Sequence, residues 1–177
     1  MTASFYNLLN SDSKDVRMKI FKISSKTPYV NKFQPQEGEA VQDANIPLIR
    51  LSEVYLNAAE AAVKNKDNAN AVKYLDPIVK RANPAKTVEG ETITLDRVLL
   101  ERRKELVGEG HRLYDLMRNN LRVERVDETP DSKVSSIPKH YAKDLSFDWT
   151  YYKIVLPIPK AEMDANPSLQ GQQNPGY

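Results

Sequence analysis

Apolar residues between positions 46 and 83 recur at the spacing of helices. One stripe in IPLIRLSEVYLNAAEAAVKN comprises Leu48, Leu51, Tyr55, Ala59 and Ala62. A second stripe comprises Ile49, Leu56 and Val63. A helix with two apolar stripes is buried on two sides, as it is in a stacked helical array.

A second helical segment follows the short polar turn NKDNAN. In AVKYLDPIVKRA the apolar face comprises Val72, Leu75, Ile78 or Val79, and Ala82. Two such segments joined by a short turn predict an antiparallel helical hairpin over residues 46–83. The alanines resemble those of one tetratricopeptide unit, although the aromatic and proline signature of that repeat is incomplete. Pro77 predicts a kink or a new helical start, because proline removes a backbone hydrogen bond and clashes with the preceding turn.

Residues 95–119 carry a further helical stripe in which two positions are charged. The stripe comprises Leu95, Leu99, Arg102, Leu106, Glu109, Leu113, and Leu116 with Met117. A glycine inside a helix costs about 1 kcal/mol, and Gly108 and Gly110 bracket Glu109. The sequence therefore predicts two helices joined near Gly108, the first of them capped by Thr94.

Arg102 and Glu109 face inward on this stripe, so each requires an opposite charge. An unpaired buried charge costs several kcal/mol. We therefore expect a mutual or shared ion network between Arg102 and Glu109 at the buried joint, with Arg112 and Asp115 as further members. In this interpretation the joint stabilises the fold and takes no part in catalysis.

Three glutamates at spacings of four, Glu101, Glu105 and Glu109, offer a catalytic alternative. General acid–base chemistry needs carboxylates in an apolar cleft without neutralising cations. The same stretch, however, interleaves these acids with Arg102, Arg103, Lys104 and Arg112. That pattern favours salt bridges. A carboxylate-bridged metal site needs a histidine three residues after a glutamate, and neither His111 nor His140 meets this condition, so we expect no catalytic residue, no metal and no cofactor.

The remaining segments are mostly polar or rich in turn residues. Residues 1–45 predict an irregular lead-in with a pair of small strands. The segment after Asn120 predicts a surface loop, and FDWTYYKIVLPIP predicts an edge strand or a strapped extended segment. The chain is therefore predicted to be mainly α, with tetratricopeptide-like helical hairpins, long loops and a few short extended segments. We expect one domain over residues 1–177, comprising the lead-in 1–45, a helical layer 46–120, and the loop, extended segment and turn-rich tail 121–177.

Composition narrows the function classes. The 177 residues include 26 Lys and Arg against 24 Asp and Glu, a formal charge of +2. Grooves that bind nucleic acid show a much larger basic excess, so we expect no nucleic-acid partner. No apolar run approaches the roughly 20 residues of a transmembrane helix. The sequence has no cysteine, which excludes disulfides, thiolate metal sites and thiol catalysis.

Aromatic residues crowd into the segment that follows the predicted surface loop. They are Tyr141, Phe147, Trp149, Tyr151 and Tyr152. Sugar rings stack on flat aromatic faces, so this cluster is a candidate ligand platform, with Trp149 and Tyr141 as the contact residues. The alternative is that Phe147, Trp149 and Tyr151 share one face of a strand and pack on the helices.

Four motifs in a fixed order carry a family resemblance. They are IPLIRLSEVYLNAAEA, ERRKELVGEGHRLYDLMR, VLPIPKAEM and the terminal NPSLQGQQNPGY. In this order they resemble the C-terminal portion of the SusD and RagB family of outer-membrane nutrient-binding lipoproteins. The resemblance implies a mostly helical, surface-exposed protein of the outer membrane. Such a protein captures glycans without an enzymatic step and passes them to a SusC-like TonB-dependent transporter.

The resemblance covers nearly the whole chain but differs from the family at its beginning. The signal peptide, the lipidated cysteine and the long N-terminal helical region of the family have no counterpart here. We therefore expect a C-terminal fragment in which much of the glycan-contacting surface is missing. Two alternatives remain. The chain could be a tetratricopeptide-like module that binds another protein, or it could be a hydrolase.

Overall fold

In the computed structural model of the protein, the described residues are 3–24, 27–35, 37, 38, 40, 44–124 and 146–177. The α-helices are α1 (Ala3–Asn10), α2 (Leu51–Lys64), α3 (Asn68–Ala82), α4 (Leu95–Glu105), α5 (His111–Met117) and α6 (Lys160–Ala165). The strands are β1 (Phe21–Ser24), β2 (Thr27–Val30), β3 (Val123–Glu124) and β4 (Ser146–Phe147). Helices predominate within these residues, and the prediction of a mainly α fold is confirmed.

The predicted hairpin is formed by α2 and α3, but it starts later than expected. Residues 46–50 are extended or bent, and the side chains of Leu48 and Ile49 are 90% and 76% exposed. The predicted stripes are therefore wrong at their beginning. Arg50 has an extended backbone, with φ −136° and ψ 155°, and its guanidinium contacts the carboxylates of Glu105 and Glu109. These ion pairs are compatible with the extended conformation of Arg50, and α2 begins at the next residue, Leu51.

Helix α3 has a side-chain cap and continues through its proline. The Asp67 carboxylate accepts the backbone N–H of Asn70 at 3.0 Å, which satisfies one free donor of the first turn. The helix is unbroken at Pro77, so the predicted new helical start is wrong. Pro77 and Lys73 both lie on the exposed side, where water can bond to the Lys73 carbonyl that Pro77 leaves without a donor.

The hydrophobic core lies where α2 packs against α3 and α4. Its buried members are Leu56, Ala59, Ala62, Ala71, Leu75, Ile78, Val79, Val88, Ile93, Val98 and Leu106. Small alanines let α2 and α3 approach closely. The loop after α3 is anchored by Asp76, which accepts the Thr87 hydroxyl at 2.7 Å and the Val88 N–H at 2.9 Å. This anchoring places Val88 in the core.

The break between α4 and α5 occurs where the glycines predicted it. Thr94 caps α4 by accepting the backbone N–H of Arg97 at 3.2 Å. Gly108 and Gly110 both have φ +81°, a left-handed conformation that side chains disfavour. A Cβ at Gly108 would also lie 3.1 Å from Val30 Cγ1. Two helices joined near Gly108 are therefore confirmed.

The described residues between positions 3 and 30 contain more regular structure than the sequence predicted. Strands β1 and β2 form the predicted pair of small strands, and the pairing is antiparallel, with Phe21 opposite Val30. Helix α1 was not predicted, because one short helix gives little periodic signal. It buries Phe5 and Leu9, and the Phe5 ring meets Phe21 edge to face at 6.4 Å.

The predicted strand over FDWTYYKIVLPIP is largely absent. Only β4 pairs, with β3, and a 3₁₀ helix follows at Tyr152–Ile154. Beyond it the chain is held by the C-terminal tail, because the Gln173 side chain bonds both the N–H and the carbonyl of Ile158, at 2.8 and 3.0 Å. Asn174 donates to the Leu156 carbonyl at 2.6 Å. The strapped segment is thus the correct alternative, and the side-chain amides supply the bonds that a strand neighbour would give.

The core position of Leu56 can be tested against an exposed leucine of the same helix. Leu56 is 0% exposed and Leu51 is 70% exposed. We expect Leu56→Ala to lower the free energy of unfolding by about 2–5 kcal/mol, because it leaves a cavity. Leu51→Ala should change it by less than about 0.5 kcal/mol. Urea denaturation measures both, and equal losses would contradict this assignment of the core.

Candidate functional site

A buried carboxylate at the end of α4 forms ion pairs with three arginines from distant parts of the chain. The side chain of Glu105 is 2% exposed. It contacts Arg50 at 2.5 Å, Arg17 at 3.6 Å and also Arg81. Burial alone would raise the pKa of Glu105, but the hydrogen bond from Arg50 and the charges of the arginines outweigh it and lower the pKa. Glu105 is therefore ionised at neutral pH.

Arg17 extends this cluster to the first turn of the 3₁₀ helix at Val16–Ile20. Its guanidinium contacts Asp15 at 2.6 Å and Glu101 at 2.5 Å, and Glu101 also pairs with Arg97 at 2.7 Å. We call the residues of this cluster the Glu105 network: Asp15, Arg17, Lys32, Arg50, Arg81, Arg97, Glu101, Glu105 and Glu109. The salt-bridge interpretation of the glutamates is confirmed.

Glu109 belongs to this network and does not pair with Arg102. The Arg50 Nε lies 2.9 and 3.0 Å from the two Glu109 carboxylate oxygens, and Lys32 also contacts Glu109. Burial would raise the pKa of Glu109, but bonds from Arg50 and Lys32 lower it. The predicted Arg102–Glu109 pair is wrong, because the heptad count assumed that the helix continues past Glu105.

A second set of charges lies on another side of α4. The Arg102 guanidinium forms two bonds to Asp115, Nε to Oδ2 at 3.0 Å and Nη2 to Oδ1 at 2.9 Å. Its Nη1 donates to Asn57 Oδ1 at 2.6 Å. Arg118 contacts Asp115 at 2.7 Å and Glu60 at 2.6 Å. We call Asn57, Glu60, Arg102, Asp115 and Arg118 the Asp115 network.

The predicted ion network is thus divided between two clusters. Arg102 and Asp115 are members of one, and Glu109 is a member of the other. Arg112 has no carboxylate oxygen within 4.0 Å among the residues that the structure describes. The sequence identified charged residues that need partners, but most partners come from α2, α3 and the N-terminal segment, which the local pattern could not indicate.

The aromatic segment places Trp149 at the surface. Trp149 is 54% exposed, while Tyr141 lies outside the described residues. The Phe147 and Tyr151 rings are 5.1 Å apart between centroids. Tyr152 meets both Tyr151 and Tyr177, each at 5.3 Å. The expected strand face does not form, and these rings pack on one another and on the C-terminal tyrosine.

A cavity of about 570 Å³ lies among α1, β2, α4 and α5. Most of its wall is apolar, from Phe5, Tyr29, Val30, Leu106, Val107 and Leu113. Arg103, His111 and Arg112 add basic groups to it, and the ion pair of Arg102 with Asp115 also reaches its wall. The sequence did not predict this cavity, because its wall combines residues 5–30 with residues 102–115, which lie far apart along the chain. The signal available in the sequence was the surplus of cations over acids between residues 102 and 112.

Within residues 3–124 and 146–177, apart from their short gaps, no three His, Asp or Glu side chains are grouped so as to hold a metal ion. No described helix combines the length and apolarity needed to cross a membrane.

The sequence profile of the SusD family matches residues 4–177. The chain belongs to the SusD family. The resemblance inferred from the four motifs is confirmed. A SusD-like protein of Formosa agariphila is 32% identical over 144 residues, which are 73% of this chain and 24% of that protein.

Two solved structures share the fold of this chain. A candidate sugar-binding protein of Bacteroides vulgatus is 59% identical, with a TM-score of 0.90 over 99% of this chain and 39% of the relative. A SusD superfamily protein of Bacteroides thetaiotaomicron is 41% identical, with a TM-score of 0.81 over 98% of this chain and 40% of the relative. The chain thus spans well under half the length of these relatives.

The separation of the two networks predicts an asymmetry in double-mutant cycles. Arg102→Met with Asp115→Asn should show a coupling energy of about 1–3 kcal/mol, because the two side chains bond directly. Arg102→Met with Glu109→Gln should be additive within about 0.5 kcal/mol, because the two residues share no partner. Denaturation of the singles and doubles measures both, and strong coupling between Arg102 and Glu109 would restore the discarded pairing.

Glu60 makes the fold sensitive to acid. Burial would raise its pKa, but bonds from Arg118, Lys64 and Asn119 lower it from 4.5 to about 2. A carboxylate with a depressed folded-state pKa stabilises the protein above its unfolded pKa and loses this contribution as pH falls through the folded value. Glu60 therefore contributes fully above about pH 4.5 and progressively less towards pH 2.

We expect Glu60→Gln to be destabilised at neutral pH by about 1–3 kcal/mol, less than for a fully buried pair because Arg118 is partly exposed. Its stability should then fall less than that of the wild type between about pH 4.5 and 2. Glu162→Gln, at an exposed position on α6, is the control and should follow the wild-type curve. Parallel curves for Glu60→Gln and the wild type would disprove the assignment.

Proposed function

We propose that this chain is a non-enzymatic glycan-binding part of an outer-membrane nutrient-uptake complex. In this proposal it helps to deliver oligosaccharide to a SusC-like TonB-dependent transporter at the cell surface. The observation that carries the proposal is the match along nearly the whole chain to the candidate sugar-binding protein of Bacteroides vulgatus. Membership of the SusD family supports the same role.

The exposed aromatic rings supply a chemically suitable surface. Trp149, Tyr152 and Tyr177 are 54%, 40% and 50% exposed. Sugar rings stack on such faces while neighbouring polar groups bond their hydroxyls. Trp149 is the most exposed of the three, and in the proposal it is an accessory contact rather than the centre of the site.

The charge pattern supports binding without catalysis. A glycoside hydrolase needs one carboxyl group with a raised pKa to protonate the leaving oxygen. Burial favours such a rise at Glu105 and Glu109, but their arginine and lysine partners lower both pKa values instead. These acids are suited to holding the fold and unsuited to donating a proton.

Protein binding is the second candidate, and one surface favours it. Ile46, Leu48, Ile49, Leu51 and Val54 are 50–90% exposed and adjacent along the chain. Exposed apolar patches of this kind commonly mark contacts with another polypeptide. This feature distinguishes the tetratricopeptide-like alternative, and it is compatible with a glycan-binding chain that also contacts a transporter.

A substitution at Trp149 tests the glycan proposal. We expect the chain to bind oligosaccharides only weakly in a glycan-array screen followed by calorimetry, because it spans well under half the length of its relatives. Trp149→Ala should weaken binding about two- to tenfold, because one exposed stacking contact contributes about 0.5–1.4 kcal/mol. Tyr114→Ala, at an aromatic that is 73% exposed on α5, is the control and should bind like the wild type. Absence of binding to every glycan would refute the proposal for this chain, and unchanged binding by Trp149→Ala would remove Trp149 from the site.

A further inference from the structure

Two arginines differ from the others in the described part of the chain. Each of the others has a carboxylate oxygen within 4.0 Å, namely Arg17, Arg50, Arg81, Arg97, Arg102, Arg118 and Arg122. Arg103 and Arg112 have no such partner among the described residues. Both line the 570 Å³ cavity. Uncompensated cations at a cavity require an explanation, because this fold pairs its arginines elsewhere.

The Arg103 side chain is held in place by an aromatic ring. Its guanidinium carbon lies 4.9 Å from the centroid of the Phe5 ring, a cation–π distance. Partial burial lowers the pKa of Arg103, and no carboxylate offsets this effect. The ring fixes the guanidinium without using its N–H donors, so these donors remain available to a ligand.

Arg112 adds a second positive charge beside the first. It lies on α5 at the exposed rim of the cavity. Partial burial and the positive charge of Arg103 lower the pKa of Arg112, and Asp115 opposes them. Arg103 and Arg112 both line the cavity and the small cleft beside it, so both guanidinium groups face the space that a bound anion would occupy.

The acids near this pair are engaged elsewhere or are too distant. Asp115 is buried and bonded by Arg102 and Arg118. Asp96 lines a small adjoining cleft with Arg103 and Arg112, but its oxygens lie beyond 4.0 Å from either arginine. Glu53 faces His111, at 3.8 Å from its Nε2.

We infer that this cavity binds an anionic ligand, whose acid group contacts Arg103 and Arg112. A guanidinium presents paired donors that match carboxylate and sulfate oxygens. The ring of the ligand then packs against Tyr29 and Leu113, which are 43% and 41% exposed. The cavity volume lies within the range of small-molecule sites, about 300–1,000 Å³. Resting on the proposed function, the ligand class is an acidic saccharide, either a uronate or a sulfated sugar.

The probes are glucuronate, glucose 6-sulfate and glucose, titrated into the isotopically labelled 177-residue chain and followed by NMR. Both acids should shift the Arg103, Arg112 and Tyr29 signals saturably, and glucose should not at the same concentrations. The acid that binds with the higher affinity identifies the preferred acid group, carboxylate or sulfate. Arg103→Gln/Arg112→Gln should weaken binding of that acid at least tenfold. Lys73→Gln/Lys160→Gln removes the same charge from exposed positions and should bind like the wild type.

Arg112→Gln alone guards against misfolding of the double variant, because Arg112 is exposed. It should weaken acid binding several-fold with an unchanged thermal unfolding midpoint. The proposal is overturned if neither acid shifts these signals, or if the lysine variant loses as much binding as the arginine variant. An acidic peptide that binds more tightly than either sugar acid would also overturn it, by assigning the cavity to a protein side chain.

The outcome is separable from that of the glycan proposal. Neutral oligosaccharides that bind while the sugar acids do not would support glycan binding and eliminate the anion site. Glucuronate binding that is lost in the arginine variant, without binding of any oligosaccharide, would establish the anion site and contradict the glycan proposal.

Discussion

The buried carboxylate of Glu105 is the constraint on which the rest of the structure depends. It occupies the last position of α4, where the helix dipole disfavours negative charge, and burial disfavours that charge further. Both effects are offset by arginines from three other segments, Arg17, Arg50 and Arg81. Without these arginines the buried carboxylate would be unfavourable. The ionised Glu105 therefore holds the 3₁₀ helix, the start of α2 and the end of α3 against the end of α4.

The order of residues on α4 explains why its charges serve different purposes. Successive residues of an α-helix project about 100° apart. Glu101 and Glu105, four residues apart, therefore share a side and face Arg17. Arg102 projects towards Asp115 and Asn57, and Arg103 projects towards Phe5 and the cavity. Three adjacent charged residues thus reach an ion network, a second ion network and a cavity.

The sequence predicted the elements well and their contacts poorly. The α2–α3 hairpin and the break at Gly108 followed from local periodicity and from backbone preferences of glycine, which are properties of neighbouring residues. The Arg102–Glu109 pairing failed because a heptad count holds only while the helix continues, and α4 ends at Glu105. Partners such as Arg17 lie 84 residues from Glu101, so only the tertiary fold brings them together. The cavity was missed for the same reason.

Ion pairing also determines where binding chemistry remains available. The acids of the helical layer that a hydrolase could have used are held by cations in the Glu105 and Asp115 networks, so they cannot offer an unpaired carboxyl to a substrate. Two guanidinium groups of the same layer, on Arg103 and Arg112, have no carboxylate partner among the described residues and lie at the cavity. The helical layer thus uses its carboxylates for stability and leaves guanidinium donors at a largely apolar cavity. This cavity favours negatively charged ligands, because only such ligands restore the ion pairing found elsewhere in the fold.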